Sequence, residues 1–282
     1  MRVYEKRLDI EVHVADLYKQ KKTIGFVPTM GALHQGHLAL MQKALAQNEA
    51  LIVSIFVNPT QFNNSEDLTN YPRTLASDIS LLSQLSSNII VFAPIPKEVY
   101  GEHVTTISYD FEGLEHQMEG KYRPGHFDGV GTVLKHLFDI ISPTKAYFGE
   151  KDFQQLQIVK KLVEIEKMSV QIIGCPIYRE ASGLALSSRN KRLTNEQLLE
   201  APLIHQALLQ VKNNFGTKSV ITLIEWVSDL FKNNKLLELE YFEIARVSDL
   251  KSITKKHRNT KYRAFIAVFA GEIRLIDNIA LN

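Results

Sequence analysis

The sequence holds one cysteine, Cys175, one tryptophan and nine prolines in 282 residues. A single cysteine closes no intramolecular disulfide, and a cysteine-based zinc site needs several, so disulfide scaffolds and zinc fingers are excluded. A surplus of one charge sign is also missing. Lys plus Arg total 33 and Asp plus Glu 31, which leaves a formal charge of +2 and no global footprint for a nucleic acid. Long apolar runs are absent: the richest, Ala50 to Val57, is far short of the roughly 20 residues that cross a bilayer. The N-terminus, Met1-Arg2-Val3-Tyr4-Glu5-Lys6-Arg7, mixes charges of both signs and leads into no apolar signal core. The expected compartment is the cytoplasm, with no membrane or nucleic-acid partner.

What is present is the balance of a globular protein, with 45% hydrophobic and 23% charged residues. At about 150 residues per domain the length predicts two domains. Runs rich in β-branched and aromatic residues fall at Thr23–Thr29, Ala50–Asn58, Asn88–Ala93, Lys145–Gly149 and Val170–Ile177. Several are apolar on consecutive residues, as strands buried on both faces of a parallel sheet are. Helical spacing lies between them. One stripe carries Val130, Val133, Leu134, Leu137, Phe138 and Ile141 and stops before Pro143. Another starts near Pro72 as a first-turn proline and carries Leu75, Ile79, Leu82 and Leu85. A third runs from Phe153 to Lys167. The alternation predicts an α/β fold with a Rossmann-like parallel sheet over residues 1–178. After it come two helical segments, Asn195–Asn213 and Ser219–Phe231. Strand-like runs follow at Leu239–Val247, Tyr262–Ala270 and Ile273–Ile276, with a turn at Ala270-Gly271-Glu272. Residues 179–282 are expected to form a smaller α+β domain.

Five segments carry chemistry. Pro28-Thr29-Met30-Gly31-Ala32-Leu33-His34-Gln35-Gly36-His37 follows the first strand and opens a helix. A helix start there would present free backbone N–H groups to an anion, with two imidazoles beside it. Gly149-Glu150-Lys151-Asp152-Phe153-Gln154-Gln155 stands at another strand-to-helix handover, where a lysine supplies a point charge for phosphate; a polar turn with an Asp cap fits the same residues. Leu186-Ser187-Ser188-Arg189-Asn190 offers hydroxyls and a guanidinium, a clamp for pyrophosphate or a solvated loop. Asn58-Pro59-Thr60-Gln61-Phe62 sets neutral hydrogen-bonders among apolar residues, which suits a small organic acid better than a polyanion. Gly120-Lys121-Tyr122-Arg123-Pro124-Gly125-His126-Phe127 is a basic loop. Neither G-x-G-x-x-G nor the G-x-x-x-x-G-K-[ST] loop occurs, which removes support for dehydrogenase and P-loop readings.

In order and spacing these segments resemble the pantothenate synthetase (pantoate–β-alanine ligase) family, within the H-x-G-H nucleotidyltransferases. The likeness is dense from Thr23 to Asn190 and resumes at Arg274-Leu275-Ile276-Asp277-Asn278. It implies an ATP-dependent ligase that joins pantoate to β-alanine through a pantoyl adenylate, releasing pyrophosphate and then AMP. It implies that His37, His34, Lys151 and Arg189 are catalytic. ATP would be framed by Met30, Gly31, Ala32, Leu33, His34, Gln35, Gly36 and His37. Gly149, Glu150, Lys151 and Asp152 would help, and Tyr178, Leu186, Ser187, Ser188 and Arg189 would close the nucleotide site. Gln61, Gln155 and Asn58 would bind the substrates, with Gln61 and Gln155 holding pantoate and Gln61 also lining the β-alanine path. Arg123 and His126 are expected to add to the positive field on the triphosphate. No acidic cluster reads as a metal cage, so Mg2+ is expected on ATP phosphates and water. The likeness also implies a homodimer.

There are departures from the family pattern. Ser182 precedes Gly183 where Asp is usual, Leu186 replaces Met, and Asn63-Asn64 replaces a Gly- or Pro-containing segment. A related nucleotidyltransferase acting on another small acid or phosphate would keep the histidines but have no use for the paired glutamines. An inactive binding module would be expected to have lost His37, Lys151 or Arg189, and all three are present. Cys175 lies in an apolar run and reads as a core residue.

Overall fold

The consecutive apolar runs become the middle of a parallel sheet. The protein, described by a computed structural model over residues 1–62 and 65–282, has two compact units, residues 1–150 with 155–176, and residues 151–154 with 177–282. The Asn63-Asn64 departure lies outside the described residues.

In the first unit the strands are β1 (Arg2–Tyr4), β2 (Ile24–Thr29), β3 (Ala50–Ile55), β4 (Ile90–Phe92), β5 (Lys145–Gly149) and β6 (Gln171–Cys175). Among the described residues they form a six-stranded sheet in the order β1-β4-β3-β2-β5-β6, every recorded pairing parallel. Phe26, Val27, Leu51, Ile52 and Val53 are fully buried, which is what removing both sheet faces from water requires. The α-helices of this part of the chain are α1 (Arg7–Lys19), α2 (Gln35–Gln47), α3 (Ser65–Asn70), α4 (Leu75–Leu85), α5 (Pro96–Tyr100), α6 (Met118–Tyr122), α7 (His126–Ile141) and α8 (Phe153–Ile165). The fold class expected from the sequence is the one observed.

The topology opens a crevice. Chain order runs outward from β2 in both directions, through β3 and β4 on one side and β5 and β6 on the other. Between β2 and β5 the recorded pairs are only Gly25 with Lys145 and Phe26 with Ala146. By contrast β2 pairs β3 out to Thr29 and β5 pairs β6 out to Gly149. The two strands therefore diverge toward their C-terminal ends. Ligands of open α/β sheets bind at such a reversal of strand order.

Two local expectations are corrected, and one strand is added. The helix expected to begin near Pro72 starts at Leu75, because Thr74 supplies the carbonyl that Asp78 N–H bonds at 2.9 Å. The stretch expected as one helix over Asn195–Asn213 is two, α9 (Asn195–Glu200) and α10 (Leu203–Asn214). They divide at Ala201-Pro202, where proline has no N–H to continue the ladder. The edge strand β1 went unforeseen: three residues, two of them exposed, give too little pattern to read.

The second unit contains α9, α10 and α11 (Val220–Lys232) with the antiparallel strands β7 (Glu238–Arg246), β8 (Tyr262–Ala270) and β9 (Ile273–Ala280). Gly271, at φ +61°, makes the tight β8–β9 turn. Leu208, Val211, Leu223, Val227, Ile266 and Val268 share its core. Segment 151–154 is tied here: Asn278 Nδ2 donates to the Lys151 carbonyl at 2.8 Å, and the Arg263 guanidinium stacks 3.9 Å over the Phe153 ring. Beside it, Arg179 pairs with the buried Asp277 through two bonds of 2.6 and 2.9 Å. Replacing Asp277 by Asn leaves one oxygen facing a two-pronged cation. The expected loss is about 2 kcal/mol, the worth of a charged hydrogen bond, read by urea unfolding of the whole chain; a loss below about 0.5 kcal/mol would show the pair to be ornamental.

Candidate active site

Sequence places the His34–His37 segment where β2 ends, and local hydrogen bonding decides its shape. Thr29 Oγ accepts from Gly31 N–H at 3.2 Å, and the turn passes through two left-handed residues, Gly31 (φ +83°) and Ala32 (φ +50°). His34 is the N-cap of α2, an unusual residue for the task. Its Nδ1 accepts from Gly36 N–H at 3.1 Å, and His37 Nδ1 accepts from His34 N–H at 3.3 Å. The rings stack with centroids 4.0 Å apart. Because each Nδ1 is an acceptor, each neutral ring carries its proton on Nε2. Two Nε2–H donors are thus set side by side at the start of a 13-residue helix, above the divergence of β2 and β5. Helix start and donors together suit an anion. Gly149 and Glu150, half-buried, leave the end of β5 on the other side of that divergence.

The Gln61 turn is built from a buried polar knot. After β3 the chain enters a 3-10 turn, Pro59–Gln61, capped by Asn58, which is 1% exposed. Asn58 Oδ1 accepts from Thr60 Oγ at 3.0 Å and from the Tyr100 hydroxyl, and Asn58 Nδ2 donates to Gln61 Oε1 at 3.1 Å. Burial pushes the Tyr100 hydroxyl up to about 12, so it stays a donor through neutral pH. Gln61 Nε2 in turn points to Met30 Sδ at 3.2 Å, which joins this turn to the His34 loop. Gln155 stands half-buried on α8 in the same unit.

His126, expected among the cations for a triphosphate, has another task. It is 6% exposed, and its Nδ1–H donates to the Gln61 carbonyl at 2.9 Å. Arg123 also reaches that carbonyl, at 3.4 Å, and donates to His126 Nε2 at 3.2 Å. A ring that donates from Nδ1 and accepts at Nε2 is neutral. The basic loop supports the Gln61 turn.

In the second unit Lys151 is half-buried and Asp152 exposed, in a 3-10 turn ahead of α8. Tyr178 is exposed, and its carbonyl accepts from Leu186 N–H at 3.0 Å. Ser187 caps the short Ser188–Arg192 turn by accepting from Arg189 N–H at 3.2 Å. Asn190 anchors that loop from below, its amide donating to the Ala185 carbonyl and to Glu180. Ser182, exposed, accepts from Leu184 N–H at 3.4 Å, a hydroxyl-capped turn in which the usual Asp would be acceptor too. Cys175 is buried and its thiol pushed up by desolvation, as befits a core residue.

Four residues of these surroundings had escaped the sequence reading: Asp78, Tyr100, His126 as a buried donor, and Asn278 as the holder of Lys151. Asp78 had left a signal. It lies on the apolar stripe of α4, in step with Leu75 and Leu82, and a carboxylate on a buried stripe needs partners. Among the described residues no three His, Cys, Asp or Glu side chains gather as an ion-holding group, and no helix is long and apolar enough to cross a membrane.

Known proteins resemble the chain over its whole length. The family model described as pantoate-beta-alanine ligase matches residues 2–280. A pantothenate synthetase of Flavobacterium psychrophilum is 54% identical over 282 residues, covering 100% of both chains. The crystal structure of pantothenate synthetase from Thermus thermophilus superposes with a TM-score of 0.91 at 36% identity, covering 100% of this chain and 99% of that one. A pantoate-beta-alanine ligase from Francisella tularensis, solved in complex with beta-gamma ATP and beta-alanine, gives a TM-score of 0.81 at 37% identity over 100% of this chain and 98% of that one.

Proposed function

This chain belongs to the pantoate–β-alanine ligase family, and from that premise we propose how its residues condense pantoate with β-alanine using Mg-ATP. The observation that carries the reading is the stacked His34–His37 pair, whose Nε2–H donors stand at the start of α2 over the parting of β2 and β5.

A pantoate carboxylate oxygen attacks the α-phosphorus of ATP, and the bond from that phosphorus to the bridging oxygen of the β-phosphate breaks. Charge gathers on the departing pyrophosphate. Donors already aimed at that place lower the barrier without reorganising, which is the main thing a protein does for such a transfer. His34 and His37 are assigned that task, each as an Nε2–H hydrogen-bond donor to the departing oxygens. Lys151, Ser187, Ser188 and Arg189 are assigned to the same phosphates by the resemblance. The turn from Met30 to His37, the residues Gly149 to Asp152, Tyr178 and Leu186 frame the nucleotide. In the second step the neutral amine of β-alanine attacks the acyl carbon, and AMP leaves.

Gln61 and Gln155 are assigned to pantoate. Asn58 acts through Gln61, since its own amide is spent on the chain. Mg2+ would arrive with ATP as part of the substrate, held by phosphate oxygens and water. The assembly assigned from the resemblance is a homodimer, and the compartment the cytoplasm.

Incubating the purified chain with Mg-ATP, pantoate and β-alanine should release AMP and pyrophosphate in equal amounts with the amide product. AMP release that needs no pantoate would overturn the reading.

A further inference from the structure

The turn that presents the two histidines is held from outside its own stretch of chain. Ala32 takes a left-handed backbone that its Cβ disfavours, directly after a left-handed glycine. Two consecutive backbone N–H groups follow, and both point at one side chain. Asp78 Oδ2 accepts from Ala32 N–H at 3.0 Å and Oδ1 from Leu33 N–H at 2.8 Å. A third donor, Thr74 Oγ, meets Oδ2 at 3.1 Å. Asp78 is 3% exposed, on the first turn of α4, 45 residues along the chain from Leu33. A Cβ built on Gly31 would come within 3.0 Å of the same carboxylate, so the glycine is also needed for close approach. A buried carboxylate satisfied by two adjacent amides sets both the position and the hand of the backbone between them.

We propose that Asp78 is a positioning residue for adenylate formation: by clamping Ala32 and Leu33 it fixes where His34 starts α2 and where the two imidazoles point. The proposal rests on the assignment of His34 and His37 to the phosphates. It separates the two chemical steps. Pyrophosphate departure depends on the histidines, whereas aminolysis of the finished adenylate has no pyrophosphate left to stabilise.

Asp78→Asn tests this at almost constant volume. The amide keeps one acceptor oxygen and turns an NH2 toward the other backbone N–H, so one of the two clamps is lost. Three quantities are measured on the folded variant: pantoate-dependent exchange of pyrophosphate into ATP, conversion of supplied pantoyl adenylate with β-alanine, and the split between kcat and the KM for ATP. Exchange should fall by roughly 10- to 100-fold, mostly in kcat, the upper figure being the cost of a misplacement of about 1 Å. Aminolysis of adenylate supplied at saturation should stay within about threefold of the parent, since the turn's hold on the nucleotide is then not limiting. Should Asp78→Asn fail to fold, Thr74→Val keeps the carboxylate and removes the hydroxyl that orients it, and a smaller fall in exchange with aminolysis spared is the expected result. Parallel loss of both half-reactions, or unaltered exchange in a folded variant, overturns the proposal. Measuring His37→Ala alongside keeps the two claims apart. If that variant loses exchange while Asp78→Asn retains it, only the role of Asp78 falls; if His37→Ala retains exchange, the histidine assignment falls and takes the Asp78 role with it.

Discussion

Replacing His37 by Ala slows pantoate-dependent pyrophosphate exchange by about 10²-fold or more, the usual cost of removing a donor aimed at developing charge. That is roughly 2.7 kcal/mol of transition-state stabilisation. The same substitution removes an acceptor from the start of α2, where His37 Nδ1 accepts from His34 N–H. A helix cap is worth about 1 kcal/mol, so stability falls less than catalysis, and the two effects separate on one protein. His37→Asn sharpens the division. Asparagine Oδ1 can take the place of Nδ1 under the His34 amide, while nothing replaces Nε2–H. The expected result is a melting temperature near that of the parent with activity as low as in His37→Ala. Activity of either variant within about threefold of the parent would remove His37 from the phosphate-binding role.

Gly129→Ala should be a severely damaging small substitution, and the one that bears directly on the Gln61 turn. Gly129 lies on α7 against the 3-10 turn that carries Gln61. A Cβ there would meet the Thr60 carbonyl oxygen at 2.2 Å, its carbon at 2.5 Å and Gln61 N at 2.8 Å. All three are backbone atoms, so no rotamer change relieves the clash; turn or helix must move. Overpacking of this kind costs about 3 kcal/mol, at the upper end of its range. Because the turn that shifts presents Gln61, the KM for pantoate should also rise by about tenfold or more. Gly216→Ala is the control, with no atom within 4 Å of the new methyl group. Urea unfolding and pantoate saturation curves on the two variants decide the matter. A Gly129→Ala protein with ordinary stability and an ordinary pantoate KM would show that the close approach of α7 has no bearing on Gln61.

These effects trace the line between what sequence reasoning reached and what it did not. Strands β2, β3 and β5 were legible because burial on both faces demands consecutive apolar residues. The stripe of α7 was legible because a helix packed along its whole length repeats its apolar positions at the helical period. The break at Pro202 and the start of α4 at Leu75 were misplaced because each depends on one residue's backbone chemistry, which a pattern averaged over many residues blurs. At the candidate site the His34–His37 and Gln61 segments announced themselves, being short, contiguous and next to strand ends. Their supports did not. Tyr100 reaches Asn58 from 42 residues away, His126 reaches Gln61 from 65, and Asn278 reaches Lys151 from 127.

The sequence alone determined the class of fold, the family, and which segments carry polar groups suited to phosphates and a small acid. Those properties live in composition, period and contiguous motifs, and a linear text preserves them. Tertiary structure alone decided the setting of each group: which ring nitrogens of the histidine pair accept, that His126 is buried beneath the Gln61 carbonyl, that the Asn58 amide bonds Gln61, and that one carboxylate on α4 bonds two amides of the histidine turn. The physical reason is that a hydrogen bond depends on distance and angle within a few tenths of an ångström. Only packing, which brings residues distant in sequence together at interior density, fixes positions that finely.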